Sequence, residues 1–246
     1  MSIDISISNT SVEMGKKAAS LIAGLITRAV NTRGYARIVL STGASQFEMF
    51  DALVKENVPW DKVEMFHLDE YVNLPVTHIA SFRKYLTERF VSKVNLKAVY
   101  FVNGEGNVQE NIAELSAALK EKPVDVGVIG IGENGHIAFN DPPADFETEK
   151  AYKVVNLDMR CRQQQVGEGW FERVEDVPLQ AISMMPAQIM ACRTIVSVVP
   201  HAVKAQAVLN TVTQPVSPMI PATLLKTHRD WHLFLDEESA SLLLKR

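Results

Sequence analysis

Three short, predominantly apolar runs, "ARIVLS" (36–41), "DVGVIGIG" (125–132) and "TIVSVVP" (194–200), alternate with segments of helical periodicity. A strand that is apolar on both faces has no side to turn to water. Such strands belong inside a mostly parallel sheet covered by helices on both faces. Similar runs at "VEMFHL" (63–68), "AVYFVN" (98–103) and "WHLFLD" (231–236) extend the pattern. Thr10 and Glu13 form a capping signature before Met14, Ala18, Leu21, Leu25 and Ile26, and Gly34 can close that helix. Further helices are expected near 46–57, 80–90, 108–121 and 201–212, with a short one after the last strand.

The expectation is therefore an α/β fold: three layers, a mostly parallel sheet with helices on both faces, Rossmann-like. No repeat or Pro/Gly/Ser linker divides the chain, so residues 1–246 are read as one domain. Residues 142–178 are the least regular and are read as a lid or side excursion.

Charge and cysteine content narrow the partners. A net charge of −4 lacks the basic excess of a nucleic-acid surface. Cys161 and Cys192 lie in no C-x-x-C arrangement and read as buried thiols in a reducing compartment. The start "MSIDISISNT" has neither a basic nor an apolar leader region, and no apolar run reaches the ~20 residues of a membrane span. The expected setting is cytoplasmic, without membrane or nucleic-acid partners. A monomer and a homo-oligomer both stay open.

Parallel sheets place working residues beyond the carboxyl ends of their strands. After 36–41 come Thr42, Gly43, Ala44 and Ser45, a small hydroxyl-bearing loop entering a helix. Its amides and the positive helix end suit an anion, and the same residues also make an ordinary strand-to-helix turn. After 63–68 comes Asp69-Glu70, where a carboxylate can serve as a general base or as a cap. After 194–200 comes a helix with Lys204 in its first turn, where a cation is favoured only beside an anion.

After 125–132 comes "GENGHIAFNDPP". Gly130, Gly132 and Gly135 spell the dinucleotide fingerprint G-x-G-x-x-G, but Pro142 and Pro143 break the crossover helix which that reading needs. The motif instead reads as a loop presenting His136, with Asn134 and Asp141 able to orient its ring. His228 and His232 do not share one helical face, H-E-x-x-H is absent, and there is no G-x-S-x-G elbow. No metal or organic cofactor is expected. The residues alone describe proton transfer on a small anionic substrate.

Taken in order, "FHLDEYVNLP", "GIGENGHIAFNDPP", "VPHAVKAQAV" and "VSPMIPATLLKTH" resemble the glucosamine-6-phosphate deaminase family, whose superfamily includes the 6-phosphogluconolactonases. The resemblance runs from Thr42 to the C-terminal "DEESASLL". It implies that Asp69 moves a proton between C2 and C1, that His136 assists ring opening, and that Thr42 to Ser45 with Lys204 hold a phosphate. The implied reaction is aldose–ketose isomerisation with deamination of a hexosamine 6-phosphate, giving fructose 6-phosphate and ammonia from glucosamine 6-phosphate.

The chain departs from that pattern at Asn134, where the family has Asp, and at Asp141, where it has Glu. A family arginine aligns with Gln165, leaving Arg160 or Arg162 as its stand-in. "HIAFN" favours an amino sugar. Galactosamine-6-phosphate deamination, 6-phosphogluconolactonase-type hydrolysis and a non-catalytic sugar-phosphate sensor are the alternatives.

Overall fold

The computed structural model describes residues 3–245. The first half contains β1 (Asp4–Ser8), α1 (Ser11–Arg33), β2 (Ala36–Leu40), α2 (Phe47–Leu53), β3 (Val63–His67) and β4 (Asp69–Tyr71). It continues with α3 (Phe82–Arg89), β5 (Ala98–Tyr100), α4 (Val108–Lys120) and β6 (Val126–Val128). The second half adds β7 (Tyr152–Asn156), α5 (Met159–Gly167), β8 (Gln180–Met184), α6 (Pro186–Met190), β9 (Thr194–Val199), α7 (Ala205–Thr213) and β10 (Trp231–Asp236).

Seven strands form one parallel sheet in the order β1-β10-β9-β6-β2-β3-β5. Alternation along each strand separates the two helical layers, because successive side chains point to opposite faces. Val39, Phe66, Ile195 and Leu233 join one apolar cluster, with Leu115 and Leu119 of α4 and Val208 of α7. Ile38, Leu40, Met65, Val128 and Val196 join the other, with Met14, Ala18, Ile22 and Ile26 of α1. Each fully buried aliphatic side chain contributes about 1.5–3 kcal/mol, so both layers are firmly held. Thr10 caps α1 by accepting from the Glu13 amide at 3.1 Å, and Gly34 ends it at φ 79°. Among the described residues, no helix is long and apolar enough to cross a membrane.

The chain winds outward from β2 through β3 to β5, then returns to the other side of β2 with β6. That reversal puts a topological switch point between β2 and β6, where a doubly wound sheet opens a crevice.

Four differences from the sequence reading have physical causes. β1 pairs with β10 at the sheet edge; its alternating "DISIS" leaves one side toward solvent, so it lacks the fully apolar signature. β4, β8 and β7 form a separate three-stranded antiparallel sheet, so 142–178 holds the ordered β7 and α5. The strand expected at 125–132 ends at Val128, because its last residues leave the ladder to form a loop. The expected C-terminal helix is a run of turns over 237–245.

Candidate active site

A pocket of about 540 Å³, open to solvent, lies at the switch point. Thr42, Gly43 and Ser45 form one wall, and Gly130 and Gly132 face them from the end of β6. Ala44 is not at the pocket surface; it begins the 3-10 turn Ala44–Gln46 that leads into α2. Gly43 takes φ 102°, which a side chain would oppose, and its carbonyl accepts from the Tyr85 hydroxyl at 2.8 Å.

The adjacent carboxylates Asp69 and Glu70 separate because β4 turns successive side chains to opposite faces. Glu70 turns inward and caps α3. It accepts from the amides of Tyr71, Phe82 and Arg83, from the Ser81 hydroxyl and from the Arg83 guanidinium. Burial raises its pKa, and those bonds offset part of the rise. Asp69 faces the pocket without such partners. Burial, then the neighbouring Glu70, pushes its carboxyl up to about 8. This is an acid poised near neutrality with nothing to compensate its charge.

His136 enters from the opposite wall. Its Nδ1 stands 3.1 Å from Asp141 Oδ1, at ion-pair distance but without the alignment of a full hydrogen bond. Asn134 bridges the loop: its Oδ1 accepts from the His136 amide and its Nδ2 donates to Asp141 Oδ1. Burial would raise the Asp141 carboxyl, but His136, Asn134 and the Asp158 amide outweigh it and hold the group below its usual value. The carboxylate kept ionised beside Nδ1 fixes the orientation of the imidazole, whose Nε2 turns toward Gly132. Asn134 thus organises the carboxylate that carries the charge, and supplies none itself.

The glycines acquire specific reasons here. A methyl at position 132 would lie 2.2 Å from His136 Nε2, so only glycine lets the ring stand where it does. Gly135 sits at φ 84° in the turn before the histidine. Among the described residues, the next helix after Gly135 is α5, beginning at Met159. The crossover helix of a dinucleotide site is absent from that stretch.

Lys204 ends a short 3-10 turn before α7 and is 5% exposed, with its charge at the pocket. Burial lowers its pKa, and Glu168 and Glu133 pull the other way. Arg162, expected as a stand-in for the missing arginine, is not at the pocket; its guanidinium donates to the Val174 carbonyl. Arg160 lines a neighbouring cleft with Glu133, Asn134 and Gln163. Lys204 is therefore the one Lys or Arg at the pocket surface among the described residues.

Ser41, Phe82, Gln164 and Glu168 are among the pocket residues that the sequence reading did not single out. Gln165 lines the pocket too and accepts from the Tyr71 hydroxyl at 2.8 Å. The polar run "RQQQ" after the Asp158 cap is the feature that would have marked an inward polar helix face. Among the described residues, two groups bring potential metal ligands within 4.8 Å of one another, His136–Asp141–Cys161 and His201–Asp236–Glu238. The first is the same cluster that orients the histidine.

Comparison with known proteins extends these observations. A family model described as glucosamine-6-phosphate isomerases/6-phosphogluconolactonase matches residues 9–234. A glucosamine-6-phosphate deaminase of Listeria monocytogenes is 37% identical over 230 residues, 93% of this chain and 94% of that protein. One from Streptococcus gordonii is 32% identical over 232 residues, 94% of this chain and 95% of its own. The solved structure of a monomeric glucosamine-6-phosphate deaminase superposes with a TM-score of 0.89 at 25% identity, covering 98% of this chain and 100% of that one. A 6-phosphogluconolactonase from Trypanosoma brucei shares the fold, with a TM-score of 0.77 at 16% identity over 98% and 99% of the two chains.

Proposed function

The chain belongs to the glucosamine-6-phosphate isomerase/6-phosphogluconolactonase family, and from that premise we propose that it converts glucosamine 6-phosphate and water to fructose 6-phosphate and ammonia. The observation that carries the reading is Asp69, a buried, uncompensated carboxylate facing a pocket that also receives His136 and Lys204.

His136, oriented by Asp141, exchanges the proton that opens the sugar ring and exposes the C1 aldehyde. Asp69 removes the proton from C2, where the adjacent carbonyl makes it acidic, and returns it to C1. The resulting C2 imine adds water and expels ammonia, leaving the ketose. The substrate's ammonium group also supplies the positive charge that Asp69 lacks in the free protein. Thr42, Gly43 and Ser45 take the phosphate with Lys204. Ala44 supports this loop through its backbone, and no phosphate role is proposed for Arg162. Residues 142–178, which contribute Gln164, Gln165 and Glu168, are proposed to close over the bound sugar.

A panel of glucosamine 6-phosphate, galactosamine 6-phosphate and 6-phosphogluconolactone tests the reading. Ammonia release is expected to be fastest with the first, accompanied in D2O by deuterium in the product. Faster lactone hydrolysis would overturn the proposal in favour of the hydrolase, and tight binding without turnover would favour a sensor.

Gly132→Ala tests the placement of the histidine. The added methyl must push the imidazole aside, and a misplacement near 1 Å lowers kcat by about 10²-fold. Wild-type kcat in this variant would remove His136 from the mechanism.

A further inference from the structure

Gln46 is fully buried beneath the pocket, and its amide fixes the direction of a hydroxyl that the pocket exposes. Nε2 lies 3.0 Å from the Val198 carbonyl oxygen and 2.9 Å from Ser45 Oγ. A carbonyl oxygen only accepts, so the amide atom facing Val198 must be the nitrogen. Both amide hydrogens are then used, one on Val198 and one on Ser45. Ser45 Oγ is left as the acceptor of that bond, because an amide nitrogen offers it no lone pair. Its own hydrogen must point elsewhere, and Ser45 is a half-buried residue at the pocket wall.

Gly130 keeps this corner open. A methyl there would stand 3.4 Å from Gln46 Nε2 and 3.9 Å from Ser41 Oγ. Ser41 Oγ is itself buried without a protein partner, so a second hydroxyl waits at the same place.

We propose that Gln46 is a positioning residue of the phosphate subsite, holding the Ser45 hydroxyl so that it donates to a phosphate oxygen. The inference rests on the phosphate lying against Thr42–Ser45. Gln46 does not touch the ligand; it acts through Ser45. Phosphate oxygens at neutral pH are chiefly acceptors, so a hydroxyl constrained to donate favours that group over one that must itself donate.

Gln46→Glu tests this with almost no change in volume. The oxygen that replaces Nε2 has at most one proton, and Val198 requires it. Ser45 must then donate to the glutamate and present lone pairs to the ligand. KM for glucosamine 6-phosphate and Ki for inorganic phosphate are both expected to rise about 10- to 100-fold, the range for a hydrogen bond to a charged group, while kcat changes less than about 3-fold. Gln46→Met releases the hydroxyl without reversing it. It should weaken phosphate less than Gln46→Glu does, and have no effect in a Ser45→Ala background.

Equal phosphate weakening by Gln46→Met with and without Ser45 would overturn the role, since a general packing defect does not depend on Ser45. Loss of kcat with unchanged phosphate Ki would overturn it as well. Wild-type enzyme that turns over but is not inhibited by phosphate would remove the phosphate placement together with this inference. Normal phosphate inhibition in Gln46→Glu would overturn the Gln46 role alone.

Discussion

Asp69→Asn is expected to lower kcat by about 10³-fold, within the 10²–10⁴ range of a general base, while glucosamine 6-phosphate binds with little change. Asparagine keeps the volume and polarity of the side chain but cannot accept a proton from C2. Hydrogen–deuterium exchange at C2 should vanish with turnover; exchange that persists at the wild-type rate would assign the base to another group. The pH profile gives an independent check. Only the ionised carboxylate is a base, and its pKa in the free protein stands at about 8 through burial and the neighbouring Glu70. kcat/KM should therefore climb with pH to about 8, far above the range of an ordinary aspartate.

Stability should move the opposite way. Between the ordinary value of 3.8 and about 8 the folded chain holds a proton that the unfolded chain has lost. Folding stability contributed by this group falls as pH rises through that window. Asp69→Asn removes the dependence, so its gain in Tm over wild type should grow from pH 4 to 8 and then level off. A Tm difference independent of pH would show that Asp69 is compensated by a partner.

The sheet was legible because its central strands are buried on both faces. "ARIVLS" and "TIVSVVP" admit no other environment, and β2 and β9 are buried at every position. β1 and the small sheet were not, for the same reason in reverse. β1 and β7 mix buried and exposed positions, and β4 has only three residues. Such segments gain their order from pairing partners distant in sequence, which local pattern does not record.

At the site, the strand-end rule pointed to Asp69, His136, Lys204 and the 42–45 loop, and all of these but Ala44 line one pocket because strand ends converge at a switch point. It could not say which of Asp69 and Glu70 faces the crevice. That depends on the chain leaving one sheet for another after His67. Nor could an ungapped comparison settle Arg162, whose guanidinium is spent on Val174 while Gln165 turns inward to Tyr71. Helix phase, set by what α5 packs against, decided both.

Lys204, the one Lys or Arg at the pocket surface among the described residues, is the second critical residue. Lys204→Met is expected to lower kcat/KM by about 10²- to 10³-fold, the cost of truncating one member of a buried charge pair, mainly through KM. Methionine preserves the buried stem and removes only the charge, so the loss reports on phosphate and not on packing. Inorganic phosphate should raise the Tm of the wild-type chain and leave the variant unmoved. In the free protein the same change should be stabilising at neutral pH. Burial holds the Lys204 pKa below 10.5, so between 10.5 and its folded value the unfolded chain binds a proton that the folded chain does not, and stability falls as pH drops through that window. Above 10.5 the lysine is neutral in both states and the advantage of methionine should disappear. A variant that still gains Tm from phosphate would move the anion away from Lys204. A variant less stable than wild type at every pH would mean that the lysine is already paired in the free protein, leaving no buried positive charge for phosphate to neutralise.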